Sequence, residues 1–289
     1  PGEGAHRIHL FPEARRDPGG IDPENRREDI LQSHSKSISE GQIVKRGSKE
    51  LRQEMFAPVG TEEIIPRKSY PIVTAAIVAV NVLFFLYEIF ILITEGQVGV
   101  ASFFSSFGLV PAYVISGKSS LLPYYLTFFT SMFIHAGLLH ILSNMIFLAV
   151  FGDNVEDMMG RAAYLAFYLV CGLAAAAAQI AADPTSMIPN VGASGAIAGV
   201  LAGYLVLLPS GTVRLLLFFG FFYRITKVPA LLFISVWFII QIFSGVASLG
   251  VVADTGGVAY WAHVGGFVAG LFLASLYKAF MRRRLYPGY

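Results

Sequence analysis

The stretch Asn190-Val191-Gly192-Ala193-Ser194-Gly195-Ala196-Ile197-Ala198-Gly199-Val200-Leu201-Ala202-Gly203 decides how the chain folds. It sets one serine between glycines at the head of an apolar segment. Glycine then recurs every fourth residue, at Gly195, Gly199 and Gly203. On a helix these positions form a smooth stripe, and a second backbone can approach it closely because no side chain projects. Gly192, just upstream, is read as part of the same packing surface. A later segment, Trp261-Ala262-His263-Val264-Gly265-Gly266-Phe267-Val268-Ala269-Gly270, carries a matching stripe at Gly266 and Gly270, one turn after a histidine. Pressed together, two such helices bring Ser194 to His263.

The rest of the chain reads as a membrane protein. Of 289 residues, 55% are hydrophobic and 14% charged, with mean hydropathy +0.63. Soluble globular chains carry about 25% charged residues. The apolar residues come in long runs, so the lipid bilayer is the expected solvent. A net charge of +2 gives no reason to expect nucleic acid. The single Cys171 sits inside an apolar run, which excludes an internal disulfide and a cysteine-based metal site.

Residues 1–69 are polar and of mixed charge, and read as a cytosolic, partly disordered tail. His6, His9 and His34 are too scattered to propose a metal. Six spans are expected within residues 70–280: Pro71–Ile93, read as apolar throughout; Phe128–Phe151; Ala162–Ala182; Gly195–Leu208; Pro229–Val252; and Val258–Phe280. Val98–Tyr125 reads as a long aromatic connection. Val213–Tyr223, bracketed by Arg214 and Arg224, reads as interfacial and not crossing. Residues 281–289 read as a basic C-terminal tail. The fold class expected is an all-α bundle of six membrane helices.

Charge placement orients the bundle. One set of connections holds Arg67-Lys68, Arg161, Arg214, Arg224, Lys227, Lys278 and Arg282-Arg283-Arg284; the other holds Glu95, Lys118, Asp183 and Asp254. Basic residues concentrate on the cytosolic side, so both termini are expected there; the location expected is a prokaryotic plasma membrane. Ser194 and His263 then lie toward the outer face. The fourth span is short: a helix over Ser194–Leu208 rises about 21 Å, against about 30 Å of hydrocarbon. Ser194 is therefore expected about 10 Å below the outer surface, at the bottom of a loop that dips inward around water.

A serine hydroxyl needs a base within hydrogen-bond reach, and His263 is the candidate. No Asp or Glu stands in the last three spans except Asp254, in a loop, so a dyad is expected rather than a triad. Ser194 opens a helix, where free N–H groups favour negative charge. His140 and Asn144 share one helix face at i, i+4 and are candidate oxyanion donors, or else interhelical hydrogen bonds. His135 points elsewhere and reads as lining a cavity or as structural. Zinc proteases need His-Glu-x-x-His, aspartyl intramembrane proteases need two acidic residues within spans, and the α/β-hydrolase elbow needs Gly-x-Ser-x-Gly after a strand. None fits, so no metal is expected.

Taken together, His140-x-x-x-Asn144, Gly192-Ala193-Ser194-Gly195 and Ala262-His263 followed by Gly266 and Gly270 resemble the rhomboid family of intramembrane serine proteases. Gly152, Glu156 and Gly160 fit its pattern at the end of the second span, and His135 matches a histidine often found before the His–Asn pair. The resemblance implies cleavage of single-span membrane proteins near or within their transmembrane segment, without a cofactor, with Ser194 as nucleophile and His263 as base. It also implies His140, Asn144 and the Ser194 backbone N–H as oxyanion donors. Two positions depart from the pattern. Leu126 and Thr127 stand where many members carry Trp-Arg, and Ala198 stands where some carry a tyrosine stacked on the histidine. The competing expectations are a catalytically silent relative that binds membrane clients, and a transporter whose path His135, His140 and Asn144 would line.

Overall fold

The computed structural model describes residues 56–62, 70–219, 222–249 and 257–285. The chain divides into Pro1–Met55 and Phe56–Tyr289, and every described residue belongs to the second unit. His6, His9, His34, Arg67-Lys68 and Asp254 lie outside the described residues.

Strand β1 is Phe56–Glu62. The helices that follow are α1 (Ile72–Phe107), α2 (Pro111–Ser116), α3 (Tyr124–Thr130), α4 (Leu138–Phe147), α5 (Asp153–Met159), α6 (Arg161–Ala182) and α7 (Ser194–Leu207). A hairpin of β2 (Thr212–Phe219) and β3 (Phe222–Pro229) leads to α8 (Ala230–Ser248) and α9 (Tyr260–Leu285). Five helical stretches are long and apolar enough to cross a membrane: α1, Leu138–Met159, α6, α8 and α9 as far as Met281. The shorter α7 joins them as an apolar helix of 14 residues. The expected six helices are all present.

Helix α7 is the axis of the bundle. Every residue from Gly195 to Tyr204 is buried. A helix that is apolar all round has no face to spare for water, and here it has none for lipid either. Its glycines set the distances. A Cβ at Gly266 would strike the Gly195 carbonyl oxygen, and one at Gly270 would strike that of Gly199. Helices α7 and α9 therefore touch backbone to backbone, in parallel register. Helix α6 closes the other side in antiparallel register, with Ala175 against Gly195 and Cys171 against Gly199. Gly203 continues the stripe against α6, facing Phe167 at 3.0 Å, while the backbone contact with α9 is made at Gly195 and Gly199.

Several expectations are corrected. The first span is not apolar throughout, since Asn81 and Glu88 are both buried on α1. Its helix also runs on to Phe107, bending at Gly96, whose φ of 68° and ψ of −163° break the helical run. The second crossing starts at Leu138, ten residues later than expected, and carries a π-helical turn at Leu148–Gly152. His135 therefore precedes the helix that holds His140. The basic end read as a tail continues α9 to Leu285.

Beside the helices stands an antiparallel sheet in the order β1-β2-β3, which the all-helical expectation lacked. It uses both the interfacial stretch after α7 and Phe56–Glu62, read from sequence as tail. Thr212 pairs with Pro229 and Phe219 with Phe222, so the apolar stretch turns back on itself and does not cross. At the same end, Glu156 holds the start of α1. Its carboxylate accepts from the Val73 N–H at 2.9 Å, the Thr74 N–H at 2.7 Å and the Thr74 hydroxyl at 2.8 Å. The two backbone N–H groups are orphan donors of the first turn.

Candidate active site

The loop before Ser194 has no regular structure, yet its backbone is bonded to protein. Leu109 and Asn190 exchange two backbone hydrogen bonds, of 3.0 and 2.8 Å. The Ala112 N–H donates to Ser186 at 3.0 Å, and the Gly192 N–H donates to the Ser131 carbonyl at 2.8 Å. Irregular backbone at membrane depth needs such partners. The loop delivers Ser194 as the first residue of α7, where backbone N–H groups have no intrahelical acceptor.

Ser194 and His263 are in contact. The Ser194 Oγ lies 2.7 Å from His263 Nε2. The other ring nitrogen, Nδ1, lies 2.8 Å from Gln241 Oε1, on α8. The Gln241 amide nitrogen in turn donates to the Trp237 carbonyl at 3.2 Å, one turn back on its own helix. The Trp237 ring stands over the histidine, with centroids 5.6 Å apart and planes tilted by 36°. His263 and Gln241 are buried, and Ser194 is half-buried.

His140 closes the opposite side. The Ala136 N–H donates to its Nδ1 at 3.3 Å, so the neutral ring carries its proton on Nε2. A methyl group added at Gly192 would lie 2.8 Å from that Nε2 and 3.7 Å from Ser194 Oγ. The imidazole and the hydroxyl thus flank one small space, which only a glycine leaves open. Gly192, grouped with the helix-packing glycines from sequence, instead sits in the loop and seats this ring. Asn144 is buried, and its amide donates to the His140 carbonyl at 2.7 Å. One amide hydrogen is thereby spent on the helix itself.

His135 stands behind His140, with ring centroids 5.1 Å apart. Its backbone N–H donates to Glu88 Oε1 at 3.0 Å. The buried Glu88 therefore ties the turn before α4 to α1. Among the described residues no group of three or more His, Cys, Asp or Glu could hold a metal ion.

The description "Rhomboid domain" matches residues 122–280, more than half of the chain. This chain belongs to the rhomboid family. The match takes in Ser194, His263, His140 and Asn144, together with His135 and Gln241. Glu88, on α1, lies before the matched stretch of the rhomboid domain. A Bacillus subtilis (strain 168) protein named "Putative rhomboid protease YdcA" is 34% identical over 76 residues, which is 26% of this chain and 38% of that protein.

Three residues around the candidate site escape the sequence reading. Gln241 does so because the third group beside a serine and a histidine is expected to be a carboxylate. Trp237 reads as an ordinary aromatic of an apolar span. Glu88 stood in plain view inside the first span, where a charged residue is a signal in itself.

Proposed function

We propose that this protein is an intramembrane serine endopeptidase that cuts single-span membrane proteins near the outer face of the bilayer. The observation that carries the reading is the 2.7 Å contact between Ser194 Oγ and His263 Nε2, in a chain of the rhomboid family.

In this reading His263 Nε2 takes the Ser194 proton as Oγ attacks the scissile carbonyl. The carbonyl oxygen becomes an oxyanion in the space beside Gly192. The Ser194 backbone N–H, the His140 Nε2–H and the second amide hydrogen of Asn144 are the donors available to it. His263 then gives its proton to the leaving amine. Water attacks the acyl-enzyme with the same histidine as base, and Ser194 is released. No metal or cofactor is called on. The charge asymmetry of the connections supports cytosolic termini and an outward-opening site. A scissile bond must leave its helix to reach Ser194, which favours substrates with small or helix-breaking residues at the outer end of their span.

Labelling with a fluorophosphonate tests activation of the nucleophile. The parent is expected to take up one probe per chain, on Ser194. Ser194→Ala is expected to take up none, and His263→Ala to react at least tenfold more slowly. A folded parent that stays unlabelled while binding transmembrane peptides would contradict the reading and favour a silent client-binding relative.

A further inference from the structure

Among the described residues, Gln241 is the side chain that meets His263 on the ring nitrogen turned away from the serine, and the donors and acceptors there allow a single arrangement. The Trp237 carbonyl can only accept, so the Gln241 amide nitrogen must face it, across 3.2 Å. That turns Oε1 toward His263, 2.8 Å from Nδ1. An amide oxygen also only accepts, so Nδ1 must carry the hydrogen and donate. The proton is thereby kept off Nε2, whose lone pair is left facing the Ser194 hydroxyl. From this geometry, and resting on the serine-protease reading above, we infer that Gln241 is a positioning residue: its amide holds His263 in the tautomer that can take the serine proton.

The placement fits the demand. Gln241 stands seven residues before the end of α8 at Ser248, or about 10 Å along the axis. That is the depth at which a 14-residue α7 leaves Ser194. The side chain is 6% exposed. A carboxylate at this depth would be a second ionisable group in a low-dielectric surround, and an unpaired charge there is costly. A neutral amide orients the ring without bringing a charge. Its own hydrogen bond to Trp237 keeps it from rotating its nitrogen toward the imidazole. The Trp237 ring restrains the same imidazole from its face, so edge and face are fixed by residues one helical turn apart.

Two variants and one spectroscopic readout test the inference. Gln241→Met keeps length and bulk but removes the acceptor. It is expected to lower kcat by about tenfold or more with KM unchanged, because peptide binding does not involve Nδ1. Gln241→Glu keeps an oxygen acceptor at the same reach but brings a charge and loses the donor to Trp237, so it is expected to keep the proton on Nδ1 while recovering only part of the turnover. Gln241→Met cleaving at the parent rate would overturn the inference. So would Gln241→Glu with the His263 proton on Nε2. Solid-state 15N NMR of labelled histidine, with His263 assigned by its loss in His263→Ala, reads the tautomer without turnover. The parent is expected to carry its proton on Nδ1, and Gln241→Met to shift toward Nε2. A parent with the proton on Nε2 would overturn the inference even if no variant folds. The tautomer readout separates the two readings: a parent that does not cleave, yet shows the Nδ1 tautomer, fails the protease reading and leaves the role of Gln241 in setting the tautomer standing.

Discussion

Gly192 decides how close the His140 ring comes to the Ser194 hydroxyl. Its φ of 127° is a backbone conformation that side chains rarely adopt, and a Cβ there would press on His140 Cε1 and Nε2 at 2.8 Å. Gly192→Ala strains the loop by about 1–3 kcal/mol and pushes the candidate oxyanion donor aside. Displacing one such donor costs about 10²-fold in kcat. Steady-state cleavage beside thermal unfolding checks this, and a folded variant at parent kcat would contradict it. The Ser194–His263 contact was legible because the residue types and spacing restrict the chemistry, whereas for Asn144 the structure shows its bond to the His140 carbonyl. The sequence misassigned Gly192, because a glycine that seats a ring looks the same as one that lines a helix. Gln241 stayed hidden because an amide within a span reads as ordinary interhelical glue, and only its distance to Nδ1 singles it out.

Helices α7 and α9 carry Ser194 and His263 and meet backbone to backbone at Gly195–Gly266 and Gly199–Gly270. Gly266 meets the Gly195 carbonyl oxygen directly, one turn below the Ser194–His263 contact. Gly266→Ala must part the helices, and such overpacking costs about 1–3 kcal/mol. The variant is expected to unfold at lower temperature and to lose fluorophosphonate labelling together with turnover. Gly257→Ala, where a Cβ would meet nothing within 4 Å, is the control and should match the parent. Parent-like stability in Gly266→Ala would contradict the backbone contact. The stripe at Gly195, Gly199, Gly266 and Gly270 was visible in advance, since small residues four apart have few other uses in lipid. The sheet was not. Val213 and Leu215 are buried while Arg214 is exposed, but the apolar run from Leu215 to Phe219 erases the alternation that marks a strand. β1 carries a register shift between Pro58 and Gly60, which hides its pattern too.

The described residues bury an apolar core as a soluble protein does, but their outer surface is apolar as well. Large apolar side chains stand exposed along the outer helices, among them Ile93 at 77% on α1 and Phe243 at 72% on α8. Buried polar groups gather inward instead, at Glu88, His135, Asn144, Gln241 and His263. Lipid is the natural cover for the first set, and the site is built from the second. Helix α8 buries only Ala230, Ile234, Gln241 and Gly245, a narrow stripe that ends beside the site, so most of its surface is left to the bilayer. Hydropathy foretold the bundle because lipid is the one solvent that selects for such a surface. It could not foretell which polar side chains meet, since that depends on helix rotation. The most direct measurement is therefore made in lipid. The purified chain is reconstituted in vesicles with a single-span peptide, and the products are mapped by mass spectrometry. The parent should cut the peptide within or beside the outer end of its span, and Ser194→Ala should leave it whole. An intact peptide with the folded parent, or equal cutting by Ser194→Ala, would contradict the Ser194–His263 assignment.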